Sequence, residues 1–225
     1  MDHTSNTIYV AFRVKNTNKE FLKDANIIIW TTTPWTIPAN RALAFNSNIE
    51  YSILEINDLE FFKEKKIVVA KNLIEEITKE CEIKNYKEIK TFKGSELEGT
   101  ICSHPFSKMN YNYDVPMLDG QFVNLDQGTG FVHCAPSHGP DDFNLCINNG
   151  IKAIETVDGD GKYTDYVKLF NGIHIFKANP IVIEKLKEEK NLLFNGDLVH
   201  SYPHSWRSKA PLVHRATPQW FISME

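Results

Sequence analysis

The sequence Trp30-Thr31-Thr32-Thr33-Pro34-Trp35-Thr36-Ile37-Pro38-Ala39-Asn40 marks the point at which a short apolar run, residues 26–30, ends in a cluster of hydroxyl groups. The run has the composition of a buried strand. Pro34 favours an extended conformation at Thr33 and is excluded from a helix interior or a central strand. The stretch therefore predicts an irregular, stiff polar rim beside two tryptophans, suited to holding a small polar molecule. A threonine-rich strand edge without a ligand is the alternative, since threonine favours strands.

The composition is typical of a globular protein with a single core. The chain has 225 residues, of which 42% are hydrophobic and 24% are charged, enough for one large domain, or for one domain plus an appendage. The net charge of −4 argues against non-specific wrapping of nucleic acid, so any such contact should be local. We find neither a secretory leader nor a membrane-spanning run. The four cysteines are widely spaced, which indicates reduced thiols and a cytoplasmic location.

Short strands outnumber helices in the sequence pattern. Apolar alternation or short apolar runs predict strands at residues 8–14, 27–30, 51–56, 66–70, 121–124, 130–134 and 172–176. Helices are expected at 71–81, from the Gly139-Pro140 pair to Gly150, and from an Asn179 N-cap to about Lys190. This pattern predicts an α+β, mainly β fold, with a closed or nearly closed β-barrel core and peripheral helices.

A second dense group of functional residue types covers residues 126–143. Gly128 and Gly130 allow close approach of backbone amides to a ligand, and a short strand then presents His133. Asp141 and Asp142 fall in the first turn of the following helix. One carboxylate is enough to complement the helix dipole. The second could bind an ammonium group.

Three chemistries compete for this region. His133, His138 and Asp142 are zinc-ligand types, although their spacing does not place them on one helix face. Cys134 with a histidine could form a nucleophilic pair, but no strong cation is near it in sequence. The third is a recognition pocket in which threonine hydroxyls, backbone amides, His133 and one aspartate hold a substrate while water attacks it.

Three motifs carry a family resemblance: residues 31–41, the Gly-Thr-Gly-Phe-Val-His of 128–133, and the His-Gly-Pro-Asp-Asp-Phe of 138–143. They resemble the editing (connective insertion) domain of the isoleucyl-tRNA synthetases, within class I of the aminoacyl-tRNA synthetases. The resemblance extends from about Ile8 to Met224. Residues 200–203, 206–207 and 215–221 are similar to the ribbon that returns to the catalytic domain.

The resemblance implies a single editing domain over residues 1–225, with about 1–15 and 197–225 as ribbon segments that lead to and from a catalytic domain. The two signature motifs of the synthetase active site, His-x-Gly-His and Lys-Met-Ser-Lys-Ser, are absent. We therefore expect an excised domain whose Met1 is an added start. Ligase activity and ATP binding would belong to the full-length synthetase.

The implied activity is a proofreading step of protein biosynthesis: hydrolysis of valyl-tRNA(Ile), with valyl-adenylate as a further candidate substrate. The expected partners are the 3′-terminal adenosine and valyl group of misacylated isoleucine tRNA, and the catalytic domain of the same synthetase. No cofactor, metal or membrane is expected. The alternative is a non-catalytic insert that docks aminoacyl-tRNA.

The resemblance also assigns residues. The catalytic group would comprise Asp142, Thr32, Thr31 and His133. Asp142 would bind the substrate ammonium, which leaves Asp141 to cap the helix. The substrate-binding set would comprise Trp30, Thr31, Thr32, Thr33, Thr36, Asn40, Gly128, Thr129, Gly130, His133 and Asp142.

Overall fold

The computed structural model describes residues 2–57, 65–220 and 222–224, and this part of the chain forms ten β-strands and three α-helices. The strands are β1 (Asp2–Asn16), β2 (Ala25–Thr31), β3 (Ala42–Phe45), β4 (Glu50–Ile56), β5 (Lys66–Ala70), β6 (Tyr86–Lys93), β7 (Ile101–Ser103), β8 (Asp114–Asp119), β9 (Val132–Cys134) and β10 (Leu192–Ser201). The helices are α1 (Ile74–Glu80), α2 (Pro140–Asn148) and α3 (Ala178–Glu188). Short 3₁₀ helices connect several of them. The predicted α+β, mainly β class is confirmed.

The sheet is open. Its strands pair in the order β6-β4-β5-β2-β1-β7-β8-β3-β9, and β10 pairs separately with β1. No ladder joins the end strands β6 and β9 within the described residues, so the predicted closed barrel is not confirmed. β9 has only three residues, and it follows a turn in which Gly128 and Gly130 have positive φ.

Two predicted strands are wrong, and one predicted cap has another role. Residues 121–124 form a turn, and residues 172–176 combine a single bridge at His174 with a 3₁₀ helix. Helix α3 begins at Ala178 rather than after Asn179. The Asn179 side chain instead accepts a hydrogen bond from the Trp35 amide at 3.0 Å. A side chain that suits a cap therefore stabilises a distant segment.

Strand β1 organises the core. Residues 8–13 pair with β2, Val14 and Asn16 pair with β7, and residues 2–10 pair with β10. The side chains of residues 8–12 are fully or almost fully buried. The assignment of about 1–15 and 197–225 as connections to a catalytic domain stays a prediction. Met1, Phe221 and Glu225 lie outside the described residues.

A smaller apolar cluster positions the second half of the candidate site. Ala42 and Ala44 of β3 pack with Cys134 of β9 and Cys146 of α2. Cys134 and Cys146 are free and buried, as are Cys81 and Cys102, which confirms the prediction of unpaired thiols. None of the described helices is long and apolar enough to cross a membrane.

The close contact between the β9 turn and β5 leads to a stability prediction. A Cβ on Gly130 would lie 2.4 Å from Cβ of Ala70, and φ at Gly130 is +79°. Gly99 has a similar φ of +75° with open space around it. We expect Gly130→Ala to lower the free energy of unfolding by about 1–3 kcal/mol more than Gly99→Ala does, because only the former overpacks. Urea unfolding of both variants measures the difference, and equal losses would contradict the contact.

Candidate functional site

The end of β2 carries a chain of hydroxyl hydrogen bonds. Thr31 Oγ1 lies 3.1 Å from Thr33 Oγ1 and accepts the Thr33 amide at 3.1 Å. Thr33 Oγ1 lies 3.3 Å from Thr36 Oγ1. Thr32 is partly exposed, and its hydroxyl makes no hydrogen bond with the described residues. Of the four threonines, Thr32 therefore keeps a hydroxyl free for a ligand.

The segment after Thr33 is regular, not the irregular rim predicted from its prolines. Residues Pro34–Ala39 form a fully buried 3₁₀ helix with Pro34 at its first position. Proline suits that position because its φ is already helical. Pro38 cannot donate the i−3 hydrogen bond to the Trp35 carbonyl, and that carbonyl instead accepts the Tyr163 hydroxyl.

His133 on β9 connects this helix to the second half of the site. Its Nδ1 lies 3.2 Å from Asn40 Nδ2, and Nε2 lies 2.8 Å from Thr36 Oγ1. Because an amide nitrogen only donates, Nδ1 accepts and Nε2 carries the ring proton. The Thr36 hydroxyl in turn donates to the Thr33 carbonyl at 2.8 Å. Burial, with a smaller effect from His138, lowers the pKa of His133 to about 4, so the ring is neutral at physiological pH.

Asp142 supplies a carboxylate without a cationic partner. It lies in the first turn of α2, and its Oδ2 accepts the Ala135 amide at 2.9 Å. Burial raises its pKa to about 6, against the opposing effect of the Ala135 hydrogen bond. Within the described part of the chain, no lysine, arginine or histidine forms an ion pair with it. An ammonium group would be a favourable partner there.

Asp141 does not cap α2 through a hydrogen bond, contrary to the expectation. Gly139 is the N-cap residue, and no side-chain capping bond forms there. Asp141 is exposed and makes no hydrogen bond with the described residues. It can act on the helix only through the dipole.

The Gly128–Gly130 turn packs against the neighbouring strands. A Cβ atom on Gly128 would lie 3.5 Å from the ring of the half-buried Trp30, so Gly128 packs next to this ring. The carbonyl of the fully buried Thr129 accepts the Ala70 amide at 2.8 Å, and its hydroxyl contacts Phe131. These contacts give the turn a structural role. Its predicted part in substrate binding, like that of Trp30, stays a prediction.

The rival chemistries find little support in this geometry. No group of three metal-ligating side chains forms among the described residues. His138 is engaged with the His214 carbonyl at 3.0 Å and the Thr156 hydroxyl at 2.7 Å, which are not partners of His133 or Asp142. Cys134 is fully buried, and burial together with Asp142 raises its pKa well above the ordinary value. A thiolate nucleophile is therefore disfavoured.

Several residues that hold the site do not stand out in the sequence. His104 is fully buried, and its Nε2 lies 3.0 Å from the Ile37 carbonyl. The Tyr113 hydroxyl donates to the Asn40 carbonyl at 2.7 Å, and the Tyr163 hydroxyl donates to the Trp35 carbonyl. All three act over long sequence separations, so no local pattern could have identified them.

Comparisons with known proteins agree with this arrangement. Residues 4–192 match the family model described as leucyl-tRNA synthetase, editing domain. All of the chain aligns with isoleucine--tRNA ligases of Pelagibacter ubique at 70% identity and of Gluconobacter oxydans at 44% identity, in each case covering 25% of that protein. The chain thus spans about a quarter of these relatives.

A solved structure supports the fold. The editing domain of the P. falciparum cytosolic leucyl-tRNA synthetase is similar with a TM-score of 0.62. The match covers 85% of this chain and 99% of that structure, at 12% sequence identity.

The raised pKa of Asp142 leads to a prediction about stability and pH. The Asp142 carboxyl group has a pKa of about 6 in the folded state, whereas its ordinary pKa is 3.8. The stabilisation from the protonated form is therefore complete below about pH 4 and is lost as the pH rises through about 6. Asp142→Asn keeps an acceptor for the Ala135 amide without the charge. We expect it to be about 1–3 kcal/mol more stable than the parent at pH 7.5 and equal to it near pH 4.

Urea unfolding at both pH values tests this. Burial lowers the pKa of His133 to about 4 and that of His104 to about 3. Both groups therefore reduce the free energy of unfolding as the pH falls below about 6.5. The reduction is the same in the parent and in Asp142→Asn, so it cancels in the comparison. A variant less stable than the parent at pH 7.5 would show that the carboxylate is a stabilising structural group.

Proposed function

The chain belongs to the aminoacyl-tRNA synthetase editing-domain family represented by the leucyl-tRNA synthetase model, and on that premise we propose that it hydrolyses valyl-tRNA(Ile). The substrate follows from the isoleucine--tRNA ligases that align with the whole chain. The proposed partners are the 3′ end of misacylated tRNA and the catalytic domain of a full-length cytoplasmic synthetase. Valyl-adenylate is a further candidate substrate.

One observation carries the proposal: a fixed wall of neutral polar side chains lies in the same part of the fold as a carboxylate without a cation. Thr36, His133 and Asn40 form the wall, and Asp142 supplies the carboxylate. Asp142 and His133 are linked through the short connection from β9 to α2. An aminoacyl ester carries an ammonium group and a small side chain on the same carbon, so it can use both features at once.

Binding would begin with the ammonium group. In the proposed complex Asp142 accepts charge-assisted hydrogen bonds from it, which also lowers the pKa of the carboxyl group toward its ordinary value. The Asn40 Oδ1 atom is buried and accepts no hydrogen bond from the described residues. Because Asn40 is fully buried, this acceptor can be satisfied by an enclosed water.

Hydrolysis then needs a positioned water rather than a protein nucleophile. Water attacks the ester carbonyl, the bond between that carbon and the ribose oxygen breaks, and valine and deacylated tRNA leave. Both ring nitrogens of His133 are already engaged, so we assign His133 to the wall of the pocket rather than to proton abstraction. Thr32, with its free hydroxyl, is the threonine we assign to contact water or substrate, and positioning of this kind can supply several kcal/mol.

The same wall explains how isoleucine would be rejected. One missing methylene changes binding in an apolar synthetic site by only about 1–3 kcal/mol, and isoleucyl-tRNA synthetases are a known instance of that limit. A second site can use the difference in the opposite direction, because it excludes the larger side chain. Here the threonine and histidine side chains are held by hydrogen bonds at 2.8–3.3 Å. The additional methylene of isoleucine would therefore fit only if these hydrogen bonds were broken.

A non-catalytic insert that docks aminoacyl-tRNA would use the same contacts. Such a module would bind valyl-tRNA without releasing valine. Turnover by the isolated chain separates the two functions.

The first test removes the proposed ammonium contact. We expect Asp142→Ala to reduce deacylation of valyl-tRNA(Ile) by about 100-fold or more, because the substrate charge loses its partner. Asp141→Ala is the matched control: it removes an exposed carboxylate from the same helix turn and should change stability by only about 0.3–1 kcal/mol. Release of labelled valine is measured, with and without a chelator. An unchanged rate in folded Asp142→Ala would contradict the assignment of Asp142 as the ammonium contact. Loss of activity in the presence of chelator would favour a metal site.

The second test fills the space beside the free hydroxyl. We expect Thr32→Trp to reduce deacylation about 100-fold, since a displacement near 1 Å can cost that much. Thr32→Ser keeps the hydroxyl and adds no bulk, so it should stay close to the parent rate. The same valine-release assay compares them, and similar rates for both variants would place the substrate elsewhere.

A further inference from the structure

A separate cavity of about 240 Å³ lies beside the candidate site. Its walls include Pro38, Ala39 and Arg41 from the segment that follows β2, and Pro136 and Ser137 from the loop after β9. Asn40 lies in the first of these segments, and His133 lies on β9, just before the second. The cavity therefore shares its supporting backbone with the proposed editing pocket but is lined by different side chains.

Arg41 brings a positive charge without an acidic partner into this cavity. Its Nε atom is buried without a hydrogen-bond partner, and its guanidinium forms no ion pair with the described residues. The guanidinium lies over the Tyr113 ring at 4.9 Å. An arginine held on an aromatic ring with free donors is well prepared to bind a phosphate or a carboxylate.

The charge of the cavity differs from that of the whole chain. The chain has a net charge of −4. The described residues that line the cavity nevertheless include Arg41 and Lys168 and no aspartate or glutamate. Lys168 is exposed and forms no ion pair among the described residues. The cavity is therefore a local cationic site on an acidic protein.

Tyr166 adds an aromatic ring to the lining. It is 66% exposed, and its ring makes no aromatic contact within the part of the chain that is described. An exposed, unstacked tyrosine beside two cations is the combination that binds a nucleotide in single-stranded RNA. The ring stacks on the base and the cations contact the phosphate.

We propose that this cavity binds one nucleotide of the tRNA 3′ single strand, next to the aminoacylated terminal adenosine. Tyr166 stacks on the base, and Arg41 and Lys168 contact the phosphate. The site rests on the proposed function, because that function brings the acceptor end of tRNA to the neighbouring pocket. It places the upstream nucleotide against Ala39 and Arg41, the two neighbours of Asn40 in the chain.

The direct test measures binding of an unacylated RNA trinucleotide that ends in adenosine to the 225-residue chain. We expect Tyr166→Ala to weaken binding about 5- to 100-fold, the range for one stacked base. Lys168→Ala should reduce the slope of log K against log salt by about 0.7, the value for one phosphate contact on a single strand. Arg41→Gln should act in the same way, provided that its circular dichroism matches the parent.

Tyr86→Ala and Lys87→Ala provide matched controls. Both residues are exposed and lie together on β6, an end strand of the sheet. Their substitution should leave binding and its salt dependence unchanged. Equal trinucleotide affinity of the parent, Tyr166→Ala and Lys168→Ala would overturn the proposal. A loss of affinity in Tyr86→Ala and Lys87→Ala as large as that in the cavity variants would also overturn it. Displacement of the trinucleotide by inorganic phosphate at equal concentration would overturn the stacking role of Tyr166.

A kinetic comparison separates this site from the editing activity itself. Tyr166→Ala should raise the KM for valyl-tRNA(Ile) about tenfold, with kcat unchanged. Valyl-adenosine, which lacks the upstream nucleotide, should be hydrolysed at the parent rate. If the parent hydrolyses neither substrate, the proposed function fails, and the trinucleotide measurement still decides the nucleotide site. A loss on valyl-adenosine equal to that on valyl-tRNA would overturn the upstream assignment.

Discussion

The hydrogen bond between Thr36 Oγ1 and His133 Nε2 joins two segments that are 97 residues apart in sequence. Its geometry depends on the pairing of β3 with β9, in which Leu43 lies opposite His133. A shift of one residue in this register would turn His133 to the other face of the strand. The Thr36 hydroxyl would then lose its buried partner. The site therefore depends on the register of a very short ladder, which packing of α2 on Ala42, Ala44 and Cys134 supports.

The electrostatics of the site follow from what burial does to each group. His133 is neutral because desolvation opposes its charged form. Asp142 is destabilised as an anion for the same reason, and one backbone amide compensates only in part. The fold thus keeps a group that lowers its own stability at neutral pH. Natural proteins commonly carry such local conflicts at functional sites. The unpaired Arg41 in the adjacent cavity is a second such conflict of opposite charge.

Sequence patterns predicted the elements better than their assembly. Buried strands around residues 8–14, 27–30, 51–56 and 66–70 are present, as are helices at the Gly139-Pro140 pair and near Asn179. The predicted closure of the sheet is not confirmed, because it requires a ladder between β6 and β9, and none forms among the described residues. The two predicted strands at 121–124 and 172–176 were wrong because short apolar runs also occur in turns that pack on a core. The 3₁₀ helix at Pro34–Ala39 was missed because prolines suggest irregular structure, although they are compatible with short helices.

The sequence alone determined the residue types at the end of β2, the turn glycines, the paired carboxylates at the start of α2 and the family resemblance, because these are local patterns with characteristic spacing. Only the tertiary structure decided which threonine keeps a free hydroxyl, which tautomer His133 adopts and which carboxylate is half-buried without a cation. It also brought Arg41, Tyr166 and Lys168 to one cavity. These properties depend on distances between segments far apart in sequence. Strand register and core packing set such distances, and neither is readable from a local pattern.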